Sequence, residues 1–423
     1  MNNIKFLKYL SLVISTLILI SACSSKQKLS NQNVAFIYNK SPFSFKENFK
    51  VFNVNDSVTS LFYKINTENL LFKKNDEQPK PTAEVEITYK IYNNKNQNHL
   101  IKHGTFSIDK IEKKTMPYDI NGKIDLELQS GNSYIMEIIT TDFNRTTSQR
   151  SFLSIEKNGL NSRENFILRD SKTKLPLLKN YLKQNEVFIL EYNEASIKTI
   201  YVKYYSRNYP VAMVPFETEP QKPLDMDADS VFSFDLDQNS SFSFSKKGFY
   251  HFYADTNNQN GFTLFIYDEN FPYSKSPKDL ISPLIYITNK EEFEKLQRAA
   301  NEKEAVDKFW LQLGGNPERA KELIRIYYNR IKEANEYFSS YLEGWKSDRG
   351  IIFTIFGSPD IVYKYQNSEI WIYGEENNLM SLNFTFLKLE NPFTDNDFSL
   401  DRSPVYSNNW YQAVDIWRQG RVY

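Results

Sequence analysis

Near Glu291 the spacing of apolar residues switches from two to about 3.6, and a fold of one class cannot satisfy both halves of the chain. Upstream, Glu84-Val85-Glu86-Ile87-Thr88-Tyr89 alternates strictly, as a strand with one wet face must. Further short runs with Asn, Gly, Pro and Asp between them predict strands at 33–38, 50–55, 57–65, 83–92, 104–108, 123–128 and 133–141. A second set is expected at 198–205, 231–236, 241–244, 248–254 and 261–267. Downstream, Phe293, Leu296, Ala300, Val306, Phe309 or Trp310 and Leu313 form one helical stripe. Ala320, Leu323, Ile324, Tyr327, Ile331, Ala334, Phe338 and Leu342 form another. Gly314-Gly315 separates them, and Asn316-Pro317-Glu318 has the residue types of a helix N-terminus.

The expected architecture is mixed and multidomain. Two all-β sandwich-like domains, 34–157 and 158–289, precede an α+β domain at 290–423 in which a helical hairpin packs on an antiparallel sheet. With 32 Phe and 28 Tyr against 13 Gly, the composition supports aromatic-rich β structure with real cores. The 52 basic and 52 acidic residues balance, which gives no general attraction to nucleic acid. The single cysteine excludes an intrachain disulfide framework.

Between the second helix and the tail lies GWKSDRGIIFTIFGSPDIVYKYQNSEIWIY. Gly344 reads as the glycine that ends the helix, with Trp345 folding back over its last turn. Residues 351–356 read as a buried strand, Gly357-Ser358-Pro359-Asp360 as a turn, and 361–365 and 369–373 as two more strands. A further strand is expected at 379–389, and a short helix in the tail that ends at Arg418, with Trp410 and Trp417 docked on the body. The runs GWKSDRG, IFGSPD and EIWIY resemble the GWxTD domain of Gram-negative envelope proteins. Ser347 stands where the family usually has Thr, and the swap keeps the hydroxyl. The resemblance implies that Gly344, Trp345, Ser347, Asp348, Arg349, Gly350, Gly357, Pro359, Asp360, Trp371 and Tyr373 are a structural signature. It implies no reaction, since the family is known by its motif.

The first residues read as a targeting device. Lys5 and Lys8 precede an apolar stretch over 10–20, too short for an ordinary spanning helix, and Ile20-Ser21-Ala22-Cys23 follows. This is similar to a bacterial lipobox, and the family resemblance implies cleavage after residue 22 and acylation of Cys23. A plain signal peptide with an incidental cysteine is the other reading. Residues 23–33 form a polar tether. The expectation is a lipid-anchored outer-membrane protein facing the periplasm, with the membrane and other envelope proteins as partners.

No GxSxG, Walker loop or dinucleotide glycine run occurs, and no cofactor or metal is expected. His99 and His103 have the spacing of a helical metal pair but fall at a loop and a strand start; His251 is the one other histidine. The best polar cluster is Asp348, Arg349 and Asp360, with Glu369 and Arg330 as further members. It serves either an acid/base hydrolase or a tie between loops. Two functions follow: a non-catalytic binding or assembly module, and a periplasmic hydrolase using the Asp348/Arg349/Asp360 region. Other features also carry two readings. The Pro210, Pro215, Pro220 and Pro223 loop is a binding ridge or a packing connector. Phe232, Phe234, Phe242 and Phe244 are a stacking platform or an inward sheet face. Arg325, Arg330 and Lys332 are functional or a solvated face.

Overall fold

A computed structural model describes residues 32–39, 44, 46–74, 80–94, 99–206, 209–219, 225–236 and 241–422. Cys23, the segment before it, most of the tether, Pro220 and Pro223 lie outside the described residues.

The first β domain is two antiparallel sheets. Strands β1 (Glu47–Asn53), β2 (Val58–Asn66) and β5 (Asp119–Glu127) form one, in the order β1-β2-β5. Strands β3 (Thr82–Asn93), β4 (Leu100–Glu112), β6 (Asn132–Asp142) and β7 (Thr147–Lys157) form the other, in the order β4-β3-β6-β7. Leu61, Ile65 and Leu126 meet Val85, Ile87, Ile91, Met136 and Ile138 in the shared core. Alternation makes most of these strands legible. Strand β7 is an addition to those expected: Ile155 is its one fully buried apolar residue, so it carries little periodic signal.

The second β domain holds β8 (Phe166–Asp170), β9 (Tyr181–Lys183), β10 (Phe188–Tyr192), β11 (Thr199–Tyr205), β12 (Ser230–Asp235), β13 (Gly248–Tyr253) and β14 (Phe262–Tyr267). A five-stranded sheet, β12-β11-β13-β14-β9, faces the pair β10-β8. The expected strand at 241–244 is reduced to a bridge from Phe242 to Phe188. Phe234, Phe242 and Phe244 pack on the core, the last stacked on Tyr250 at 3.7 Å, while Phe232 stays partly exposed at the edge.

The C-terminal part follows the helix-on-sheet plan. Helices α1 (Pro277–Ile281), α2 (Lys290–Gln297), α3 (Glu302–Gly314) and α4 (Pro317–Phe338) lead in, and α6 (Ser407–Arg418) closes the chain. Strands β15 (Ile361–Lys364), β16 (Ser368–Tyr373), β17 (Leu382–Lys388) and β18 (Phe398–Leu400) form an antiparallel meander. The first expected helix is interrupted, because Asn301 starts a new N-terminus by accepting from the Glu304 amide. Gly315, at φ 71°, ends α3, and the Asn316 side chain accepts from the Arg319 amide. Among the described residues no helix is long and apolar enough to cross a membrane.

Three readings are corrected. Residues 351–356 are not a strand but the body of α5, Asp348–Phe356. All nine of its residues are buried, so no polar face marks a helical period, and a short apolar run looks the same in either state. Gly344 does not end the long helix. That helix stops at Phe338, Ser339 turns extended, and Gly344 opens a 3-10 turn, Gly344–Lys346. Residues 33–38 are not a strand of the first domain: Ala35–Ile37 form a 3-10 turn that docks on the C-terminal core. The Val34 amide donates to the Val362 carbonyl at 2.8 Å, and the Tyr38 ring sits 5.2 Å from those of Phe338 and Trp371. Tyr38→Ala is therefore expected to destabilise the distant C-terminal domain by about 3 kcal/mol, read as a lower transition temperature in calorimetry.

Signature cluster as candidate functional site

The cluster is built outward from the N-terminus of α5. Ser347 is its N-cap: the hydroxyl accepts from the Gly350 amide at 3.1 Å and donates to the Gly344 carbonyl at 2.7 Å. A Thr at this position would supply the same oxygen. Upstream, the Gly344 amide donates to the Ser339 hydroxyl at 2.9 Å, and the Trp345 amide to the Asn335 side chain at 3.3 Å. The Trp345 indole donates to Glu343 at 2.7 Å, and Tyr286 donates to the Trp345 carbonyl at 3.1 Å. The 3-10 turn is thus stitched to α4 on one side and to α5 on the other.

Asp348 is 4% exposed. Its Oδ2 accepts from the Leu400 amide at 2.7 Å and from Arg402 Nη1 at 2.9 Å, while Oδ1 takes Arg402 Nη2 at 2.5 Å. This is a bidentate guanidinium–carboxylate pair that fastens the first turn of α5 to the chain after β18. Arg349, 3% exposed, reaches the other way. Its Nη1 donates to Glu369 at 3.3 Å, and Nη2 donates to the Asn396 carbonyl at 3.1 Å and to the Asn396 side chain. Its guanidinium lies 4.1 Å from the centre of the Phe398 ring. Glu369 also accepts from the Trp371 indole at 2.7 Å and faces Lys364 at 3.5 Å. Burial works to raise the Glu369 pKa, but the charges of Lys364 and Arg349 outweigh it and hold the carboxyl below its ordinary value.

The structure brings together only part of the cluster expected from sequence. Arg349 meets Glu369, and Asp348 meets Arg402, a residue that sequence reasoning misses. Asp360 is exposed and serves its turn, accepting from the Gly374 amide at 2.7 Å. Arg330 works at the opposite end of α5, donating to the Thr354 and Ile355 carbonyls at 3.1 and 2.9 Å. It thereby satisfies helix-end carbonyls, and burial pushes its pKa down to about 10. Trp417 adds a bond from its indole to the Ile355 carbonyl at 3.0 Å. Gly357, at φ 86°, ends α5, and its carbonyl accepts from the Tyr373 hydroxyl at 2.8 Å. Pro359 is buried in the turn, and Trp371 is fully buried in the core. Arg325 is exposed and Lys332 pairs with Glu336 at 3.0 Å, so of the three helix cations only Arg330 departs from a solvated or salt-bridged face.

The other features fall elsewhere. Val211, Ala212, Val214 and Phe216, from the proline-bearing loop, pack on the C-terminal core. The Ala212 amide donates to the Lys346 carbonyl at 2.8 Å, so this part of the loop is a packing connector. His99 and His103 are exposed. His251 is buried between Thr263 and the Gln259 carbonyl, each 2.9 Å away, and burial pushes its pKa from 6.5 down to about 4. The folded state therefore binds fewer protons than the unfolded chain between these values. Its stabilisation is present above pH 6.5 and is lost as pH falls toward 4. That difference is worth on the order of 3 kcal/mol. The transition temperature of the native protein is expected to drop over this window, and a His251→Gln variant is expected to show a shallower drop.

This arrangement defines a multidomain β protein whose closing α+β unit carries a helix pinned at both ends to a sheet. Residues 248–419 match the family model described as the GWxTD domain, so the chain carries a GWxTD domain. The match begins at Gly248, so it takes in strands β13 and β14 as well. No curated protein matches the chain. Among solved structures, a putative beta-galactosidase from Bacteroides fragilis is 12% identical, with 26% of this chain and 16% of that one covered and a TM-score of 0.18. The sensor domain of the anti-sigma factor RsgI4 in Pseudobacteroides cellulosolvens is 16% identical, with 29% and 81% covered and a TM-score of 0.18.

Proposed function

We propose that the protein is a lipid-anchored component of the cell envelope that acts as a non-catalytic binding or assembly module. It is held at the outer membrane through acylated Cys23, faces the periplasm and has other envelope proteins as partners. The observation that supports this reading is the burial of Asp348 and Arg349. A hydrolase needs a carboxylate that reaches substrate and can exchange a proton with it. Both oxygens of Asp348 are engaged by Arg402 and the Leu400 amide, and Arg349 is spent on Glu369 and Asn396. Side chains committed in this way position a helix on a sheet, and the work of such a molecule falls to its surfaces.

Two measurements in intact cells test the reading. Labelled palmitate is expected to enter the native protein and not a Cys23→Ala variant, and crosslinking is expected to capture envelope proteins in a Cys23-dependent manner. An unlabelled protein released into the soluble fraction would remove the anchor from the proposal. An Asp348→Asn variant that folds and stays anchored but loses cellular function would favour the hydrolase instead.

A further inference from the structure

A cleft of about 520 Å³ opens where the first β domain meets the second, within the size range of small-molecule sites. Its walls come from four loops: the β1–β2 turn with Asn55 and Asp56, the β5–β6 turn with Ser130, the end of β7 with Lys157, and the β10–β11 loop with Asn193 and Glu194. Leu160 is the sole apolar side chain among the lining residues. Such a cleft has little to offer an apolar ligand.

Asn53, Asn158 and Asn165 in the lining are spent on neighbouring groups, whereas Lys157, Asn55 and Glu194 keep hydrogen-bonding capacity. Lys157 is 4% exposed, and its ammonium donates to the neutral Thr59 hydroxyl at 3.1 Å. Among the described residues it has no carboxylate at ion-pairing distance, although a buried ammonium ordinarily has one. Burial pushes its pKa down to about 8, with Asp56 opposing the shift. An ammonium carries three donors, and Thr59 takes one of them. The Asn55 side-chain oxygen is spent on the Ser57 and Val58 amides, each at 2.9 Å, which leaves its NH₂ free to donate. Glu194 Oε1 accepts from the Ser196 amide and hydroxyl at 3.0 and 2.8 Å, leaving Oε2. Asn193 also lines the cleft, and an Asn side chain can both donate and accept.

Donors and acceptors are therefore interleaved on one surface. A compact anion meets Asp56 and Glu194; a cation meets Lys157. A hydroxyl both donates and accepts, so a ligand with several neighbouring hydroxyls can hydrogen-bond to all of these groups without setting a like charge against any of them. We propose that this interdomain cleft binds a neutral saccharide, with Lys157 and Asn55 donating to its oxygens and Asp56 and Glu194 accepting from its hydroxyls. The site is separate from the signature cluster and stands whether or not the anchoring reading does.

The full chain is to be titrated calorimetrically with glucose, galactose, N-acetylglucosamine and maltose, with glycine and inorganic phosphate as the zwitterionic and anionic probes. At least one saccharide is expected to bind. Affinity is expected to fall about tenfold or more in Lys157→Met, the size of effect a hydrogen bond to a charged group carries. Asn193→Ala is expected to weaken binding while the melting temperature stays at the native value, which covers the case in which Lys157→Met fails to fold. The proposal is overturned if no saccharide binds at about 10 mM, a level that detects even millimolar dissociation constants. It is also overturned if glycine or phosphate binds in place of the sugars, or if Asn193→Ala binds as the native protein does.

Discussion

A Gly350→Ala variant is expected to lose the packed C-terminal domain. A Cβ at this position would lie 1.9 Å from the Gly344 carbonyl oxygen and 2.9 Å from the Trp345 Cα. Gly344 is itself pressed in the same way, with a Cβ there 1.9 Å from the Ala334 carbonyl oxygen of α4. Backbone lies on backbone twice over, from α4 to the 3-10 turn to the first turn of α5. No flexible side chain stands in between to move aside. Overpacking a core commonly costs about 1–3 kcal/mol, and contacts made wholly by main chain belong beyond the upper end of that range. Neither glycine has a positive φ, so the demand is for closeness and not for a left-handed backbone. Gly131→Ala supplies the contrast. Its φ is 78° but nothing stands within 4 Å of the new methyl, and a loss of only about 1 kcal/mol is expected. Thermal unfolding followed by near-ultraviolet dichroism separates the two. A Gly350→Ala protein melting with the native one would mean that the two turns are not in contact in solution.

Asp348→Ala is expected to be almost as damaging. It removes the acceptor for the Leu400 amide and strands the Arg402 guanidinium, whose side chain is 6% exposed, without its counter-charge. Removing one partner of a buried pair typically costs about 3–5 kcal/mol, because the other is left charged and dry. The double variant Asp348→Ala/Arg402→Ala is expected to lose less than the sum of the two single changes, with a coupling of roughly 1–3 kcal/mol. Strict additivity would dissolve the proposed clamp. Retained melting temperature with lost cellular function would move Asp348 from structure to chemistry.

Much of the plan is legible in the residues themselves. The Asn316-Pro317 helix start, the Gly314-Gly315 stop and the alternation of 84–89 are local signals, and each appears where expected. Helix α5 reads as a strand because burial on every side erases its period; the one clue is the Ser347-Asp348 pair, a good N-terminus for a helix. In the candidate site, Arg349 with Glu369 is within reach of sequence reasoning, since both fall within one short polar-and-aromatic signature. Arg402 is not: it lies 54 residues after Asp348, in a stretch without periodic signal. Tyr38 reads as part of the wrong domain for a similar reason, since strand-like residues near the start of a chain do not say which core they enter.

The order of residues by itself determined the two-part character of this protein, β-rich first and helix-on-sheet after, together with its helix caps and its signature. These depend on periodicity and on bonds between near neighbours, which the chain carries in its own spacing. Tertiary structure alone decided that the first described residues dock on the last domain, that Asp348 finds Arg402, and that Lys157 lies buried in a polar cleft between two domains. Each depends on which distant segments exclude water from one another, and that is settled only when the whole chain has packed.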